Sequence, residues 1–97
     1  MLLFYVTYTI KEGKQREDFY QALEEGKILE LTMEENGNQM YDFAYSAGHQ
    51  DRICLVEAWD SEKALMEHKK TDQFFRLQDI KAEYVEDMVL KCYEVTT

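Results

Sequence analysis

The sequence predicts one α+β domain of β-α-β-β-α-β order, and three observations carry that reading. Apolar residues alternate on period two in four separate stretches. Helical spacing of apolar residues occupies the two long intervals between the outer and inner stretches. The punctuation is Lys11-Glu12-Gly13-Lys14, Asn36-Gly37-Asn38 and Ala47 to Asp51, which read as turns, not linkers. At 97 residues the chain has the length of a single domain, 1–97.

Leu2 to Ile10 is the first strand. Leu2, Phe4, Val6, Tyr8 and Ile10 share one face; Leu3, Tyr5, Thr7 and Thr9 share the other. A helix follows from Lys14 to Met33, with Phe19, Ala22, Leu23 and Gly26 on one stripe. Gly26 inside a helix costs about 1 kcal/mol relative to Ala. It reads either as a point of close packing on the sheet or as pocket lining. Asn36-Gly37-Asn38 stops the helix.

Met40 to Ser46 is the second strand, with Tyr41, Phe43 and Tyr45 on one face. A short hairpin loop leads to the third strand, Arg52 to Trp59. That strand places Ile53, Leu55, Glu57 and Trp59 on one side and Cys54, Val56 and Ala58 on the other. Asp60 or Ser61 caps a short helix from Glu62 to about Lys70. Thr71 or Asp72 caps a second helical piece reaching Tyr84, with Phe74, Leu77, Ile80 and Tyr84 inward. Val85 to Val95 is the last strand. The β-α-β unit repeats weakly, as in ferredoxin-like folds. The expected architecture is a four-stranded antiparallel sheet with helices on one face.

Helices on one face leave the other uncovered, and an uncovered face is ordinarily polar. Here strands one, three and four carry large apolar residues on both faces. About six such side chains at about 1.5 kcal/mol each represent on the order of 10 kcal/mol of burial. That is comparable with the whole stability of a domain, about 5–15 kcal/mol. A face-to-face homodimer is therefore expected.

The formal charge of −9 gives no footprint for a phosphate backbone or an anionic membrane, so neither nucleic acid nor membrane is an expected partner. The apolar N-terminus has no basic flank and alternates like a strand, unlike a signal peptide. A cytoplasmic protein is the default. Cys54 and Cys92 lie in apolar strands without a Cys-x-x-Cys or His/Cys cluster, and read as buried free thiols. There is no Gly-rich phosphate loop, nucleophile elbow or metal triad, so no cofactor is expected.

Chemistry concentrates on few residues. His68, on the short helix after strand three, is either a structural histidine or a proton acceptor in an apolar pocket. Glu57 shares a strand face with Ile53, Leu55 and Trp59, so it is either paired across the sheet or desolvated. Trp59 reads as core or as a ligand platform. Tyr5, Tyr41, Tyr45, Tyr84 and Tyr93 suit strands, and inward phenols also orient aromatic ligands. His49 belongs to a solvated loop.

Strand one with Lys11 to Lys14 and Phe19 is followed by Glu35-Asn36-Gly37 and Tyr41. Then come Leu55-Val56-Glu57-Ala58-Trp59-Asp60-Ser61-Glu62-Lys63-Ala64-Leu65 and His68, six residues before Phe74. This order resembles the antibiotic biosynthesis monooxygenase (ABM) family over nearly the whole chain, most specifically from Val56 to Phe74. The resemblance implies a dimeric α/β barrel. It also implies a pocket between sheet and helices in each protomer, lined by Trp59, His68, Phe74 and Tyr41. Enzymes of the family include cofactor-free oxygenases of quinols or polycyclic aromatics, heme-degrading oxygenases, and an isomerase of a phosphorylated sugar.

Some family positions differ here. Leu55 and Leu65 stand where one oxygenase branch has Asn and Tyr, Val6 and Gln78 where heme-degrading members have Asn and His, and Asn38 where a Cys is usual. The expected function is a cofactor-independent monooxygenase of a small quinol or aromatic substrate. His68 and Glu57 are its catalytic candidates, and Trp59, Phe74 and Tyr41 its substrate contacts. A non-enzymatic small-molecule-binding dimer, or an isomerase or decarboxylase using His68 and Glu57, are the alternatives.

Overall fold

The structure, a computed structural model, describes residues 1–96; Thr97, the last residue of the expected domain, lies outside them. The elements run β1 (Leu2–Ile10), α1 (Arg16–Glu25), α2 (Ile28–Met33), β2 (Asn38–Tyr45), β3 (Arg52–Trp59), α3 (Glu62–His68), α4 (Asp72–Tyr84) and β4 (Val85–Glu94). The sheet order is β2-β3-β1-β4 and every pairing is antiparallel. This is the expected α+β architecture, with the helices on one face.

The helix expected from Lys14 to Met33 is two helices. The chain breaks after Gly26, because Lys27 adopts a left-handed conformation with φ of 57°. Gly26 is the C-cap of α1, and a side chain there would meet Ala22 and Ile28. Both readings of Gly26 are thereby corrected, since neither the sheet nor a cavity surrounds it. The break re-aims α2 so that Ile28 and Thr32 enter the core.

The core lies between α1, α2 and the inner face of β2, β3 and β1. Phe19 and Leu23 of α1 pack with Ile28, Val6, Tyr8, Tyr41, Ile53 and Leu55. Tyr8 meets Phe19 edge-on, with ring centroids 5.6 Å apart. Arg16, at the start of α1, donates from Nη1 to the carbonyls of Ser46, His49 and Arg52, pinning the β2–β3 hairpin. Its guanidinium also sits 4.4 Å from the Tyr45 ring centroid.

β4 is covered far less. It pairs with β1 from Leu2↔Glu94 to Thr9↔Asp87, yet no residue of β4 is buried. The helices end short of this edge. Both thiols are free, but neither is buried as expected: Cys54 is half-buried on the outer face, and Cys92 is exposed because β4 is the uncovered edge. The outer face also presents Tyr5, Val89 and Tyr93 to solvent. No helix among the described residues is long and apolar enough to cross a membrane.

Candidate functional site

His68 ends α3, and hydroxyl side chains secure both ends of that helix. Ser61 caps its start, the hydroxyl accepting from the Ala64 N–H at 3.2 Å. Thr71 ties the corner into α4: its hydroxyl donates to the His68 carbonyl at 2.8 Å and accepts from the Phe74 N–H at 3.2 Å. The imidazole is driven inward and only 3% exposed. A buried imidazole needs a partner. Glu35 supplies it, with Oε2 2.8 Å from His68 Nδ1. The same oxygen accepts from Gln73 Nε2 at 3.0 Å.

Gly37 sets that distance. Its φ is +90°, and a Cβ there would stand 2.5 Å from the Ala64 Cβ. Only glycine lets the turn after α2 close onto α3. The Gly37 carbonyl accepts from the Asp60 N–H at 2.8 Å and locks the approach. The Asn36-Gly37 signal read from the sequence as a stop therefore also positions Glu35.

Aromatic rings enclose His68. Trp59 lies against it with centroids 4.7 Å apart and planes tilted by 34°. Phe74 meets it edge-on at 5.2 Å, and Tyr41 at 6.4 Å. The Trp59 indole N–H donates to Glu57 Oε1 at 2.8 Å. Glu57 and His68 are thus linked through one tryptophan.

A cleft of about 260 Å³ opens beside this cluster. Phe4, Val6 and Tyr8 of β1 and Met88 and Leu90 of β4 make its floor. Leu65, Phe74 and Leu77 make its roof, and Glu57, His68, Lys69, Gln78 and Lys81 supply polar groups. The structure brings His68, Glu57 and Phe74 to the cleft. Trp59 and Tyr41 do not line it; both are buried behind His68. The Tyr41 hydroxyl has no hydrogen-bond partner among the described residues.

Sequence reading passed over Glu35, Tyr8, Lys81 and Lys69. Glu35 was read only as part of the Glu35-Asn36-Gly37 stretch, with no role of its own. Lys81 carried a signal: Phe74, Leu77, Gln78 and Lys81 have i, i+3, i+4, i+7 spacing and form one stripe of α4 over the cleft.

Electrostatics follow burial. Burial raises the Tyr8 phenol well above its ordinary value, with the Glu57 carboxylate adding to it. Burial likewise keeps Tyr41 protonated, helped by Tyr8, Glu57 and Glu35. Lys81 moves the other way: burial lowers it, and Glu57 draws it part of the way back. A carboxylate on Nδ1 holds the imidazole in one tautomer and leaves Nε2 as a proton acceptor. A second hollow, about 460 Å³, lies on the far side of Glu35 and is lined by polar groups including Asp60, Ser61 and Glu67. It has no aromatic wall and suits solvent better than an apolar ligand.

Residues 1–80 match the family model for antibiotic biosynthesis monooxygenases. The chain belongs to the ABM family. A Nitrosomonas europaea protein that bears the family's name superposes with a TM-score of 0.86 at 26% identity, covering 100% of both chains. A Pseudomonas aeruginosa protein gives 0.86 at 19% identity over 99% of this chain and 94% of its own. A Deinococcus radiodurans protein, also bearing the family's name, gives 0.84 at 19% identity over 100% and 94%. The last two show the fold alone. No protein with a curated description matches the chain. In this ABM chain, Val6, Leu65 and Gln78 depart from better-known branches, and all three line the cleft. Leu55, a further departure, is core.

Proposed function

We propose that the protein is a cofactor-independent monooxygenase of a small quinol or hydroxylated aromatic, acting as a homodimer. The observation that carries this is the Glu35–His68 pair at 2.8 Å on the wall of an apolar cleft, in a chain of the ABM family. The cleft volume of about 260 Å³ accommodates a small aromatic molecule. His68 Nε2 takes the proton of a substrate hydroxyl, and Glu35 steadies the imidazolium that results. The phenolate yields an electron to oxygen far more readily than the phenol does. Recombination forms a carbon–oxygen bond, and cleavage of the O–O bond releases the second atom as water. With hydroquinone the product is hydroxybenzoquinone. One atom of dioxygen stays on the ring, and the other leaves as water with the two hydrogens that the substrate loses. Every electron that reduces the dioxygen comes from the ring. Glu57, through its bond to Trp59, and Phe74 hold the acceptor and the ring in place.

The outer sheet face supports the dimer. Tyr5, Val89 and Tyr93 are 42%, 51% and 50% exposed in one protomer. Burying them on a second copy recovers apolar contact at about 25 cal/mol per Å². Light scattering at micromolar concentration is expected to give twice 11.6 kDa; a monomer removes the dimer from the proposal.

Oxygen-electrode assays with a panel of hydroquinones test the chemistry. Wild type is expected to consume oxygen, and His68→Ala to lose about 10²–10⁴-fold in rate. Glu35→Gln is expected to lose less, because the base remains while its orientation weakens. Ligand-induced thermal shift without oxygen uptake would replace the enzyme with a small-molecule-binding dimer.

A further inference from the structure

We propose that the cleft selects an aromatic substrate carrying a carboxylate, and that Lys81 is the specificity-determining residue that receives it. This rests on the cleft being an aromatic-substrate site, and it names the substrate class.

The chain has eight lysines, and Lys81 alone is not exposed. Its stem follows the α4 stripe onto the cleft wall, and its ammonium stands 5.6 Å from the Tyr8 ring centroid. Among the described residues it forms no ion pair. A half-buried ammonium without a close anion is disfavoured, and one aromatic face compensates only in part. Glu57 faces the same space, but one of its oxygens is committed to Trp59. Lys69 also lines the cleft. Lys69 and Lys81 set two ammonium groups against Glu57, the one carboxylate on the cleft lining among the described residues. This stands in a chain whose net charge is −9. A carboxylate on the ligand gives the Lys81 ammonium the close anion it lacks.

The geometry assigns each part of such a ligand a place. The ring lies between Phe4 and Phe74, a hydroxyl meets His68, and the carboxylate meets Lys81. The cleft, of about 260 Å³, takes a small aromatic ring system. The class is a small hydroxylated aromatic acid. The electrostatic field that draws it in is local to the cleft, since the remainder of the surface repels anions.

Titration calorimetry at pH 7 with 2,5-dihydroxybenzoate and hydroquinone tests this on the full chain. The two probes share a ring and its hydroxyls and differ by the carboxylate. Wild type is expected to bind the acid at least about tenfold more tightly than hydroquinone. Lys81→Met, which keeps the buried stem, is expected to bring that ratio to about one, and Lys81→Arg to retain most of it. Circular dichroism melts establish that both variants fold. Equal affinities in wild type, a ratio that survives in Lys81→Met, or binding of neither probe each overturns the proposal. The monooxygenase reading fails separately. An acid preference that depends on Lys81, without oxygen uptake, supports Lys81 and sinks the oxygenase. Oxygen uptake from hydroquinone with no preference for the acid does the reverse.

Discussion

Strands β3 and β4 both pack beside β1 and both carry alternating apolar residues, yet their surroundings are opposite. Ile53, Leu55, Ala58 and Trp59 of β3 are buried, whereas β4 buries nothing. The cause is the placement of the helical layer. α1 and α2 press Phe19, Leu23 and Ile28 onto the inner strands, while α3 and α4 stand away from the β4 edge and leave a cleft. One side of the sheet is close-packed and supplies stability. The other keeps an apolar volume open at the cost of packing, as binding sites do.

Truncation on the two sides gives the largest contrast. Phe19→Ala, at a position with no exposure, is expected to cost about 3–5 kcal/mol in urea unfolding. Met88→Ala on the cleft floor is expected to cost about 1 kcal/mol or less, because that side chain is already 43% exposed. Equal losses would erase the distinction between the sides.

Gly37→Ala tests how the two sides are joined. Its positive φ and the contact with Ala64 predict a loss of about 1–3 kcal/mol. The His68 imidazole resonances should shift as well, because Glu35 is displaced. An unchanged imidazole spectrum would free the Glu35–His68 pair from dependence on this turn.

Alkaline titration comes next. Burial raises Tyr8 and Tyr41 in the folded state, while unfolded tyrosines ionise near pH 10. Below about pH 10 both states are protonated and the contribution is constant. As pH rises past that point the unfolded state loses protons that the native state keeps, so stability falls. Tyr8→Phe should flatten the slope of urea midpoints between about pH 10 and 11. A slope identical to wild type would place the alkaline sensitivity elsewhere.

The smallest effect is expected at Tyr41. Its buried hydroxyl is unpartnered among the described residues, so Tyr41→Phe should be neutral or stabilising by up to about 1 kcal/mol. A marked loss of stability would mean that the hydroxyl has a partner after all.

Much of the fold was legible from the chain. β3 came out residue for residue, because Arg52 and Trp59 bound a clean alternation. Ser61 and Thr71 were among the cap candidates named, and each makes the expected side-chain bond. The break at Gly26-Lys27 was not legible, because period-3.6 spacing continues through it and a left-handed lysine has no sequence mark. Cys92 was misjudged because alternation reports two apolar faces, not whether a helix reaches them. In the site, His68 stood out by its rarity. Glu35 did not, because its partnership depends on Gly37 meeting Ala64, a contact between residues 27 positions apart. Lys81 was marked as inward only by its stripe, and lysine at such a position ordinarily reads as a solvated face.

The His68–Glu35 pair also divides space. His68 borders the apolar cleft and Glu35 borders the polar hollow behind it. The wall between them is one imidazole and one carboxylate thick, bonded at 2.8 Å. A septum of this kind has an apolar side and a polar side joined by one hydrogen bond. A change on the polar side therefore reaches the cleft through a single bond.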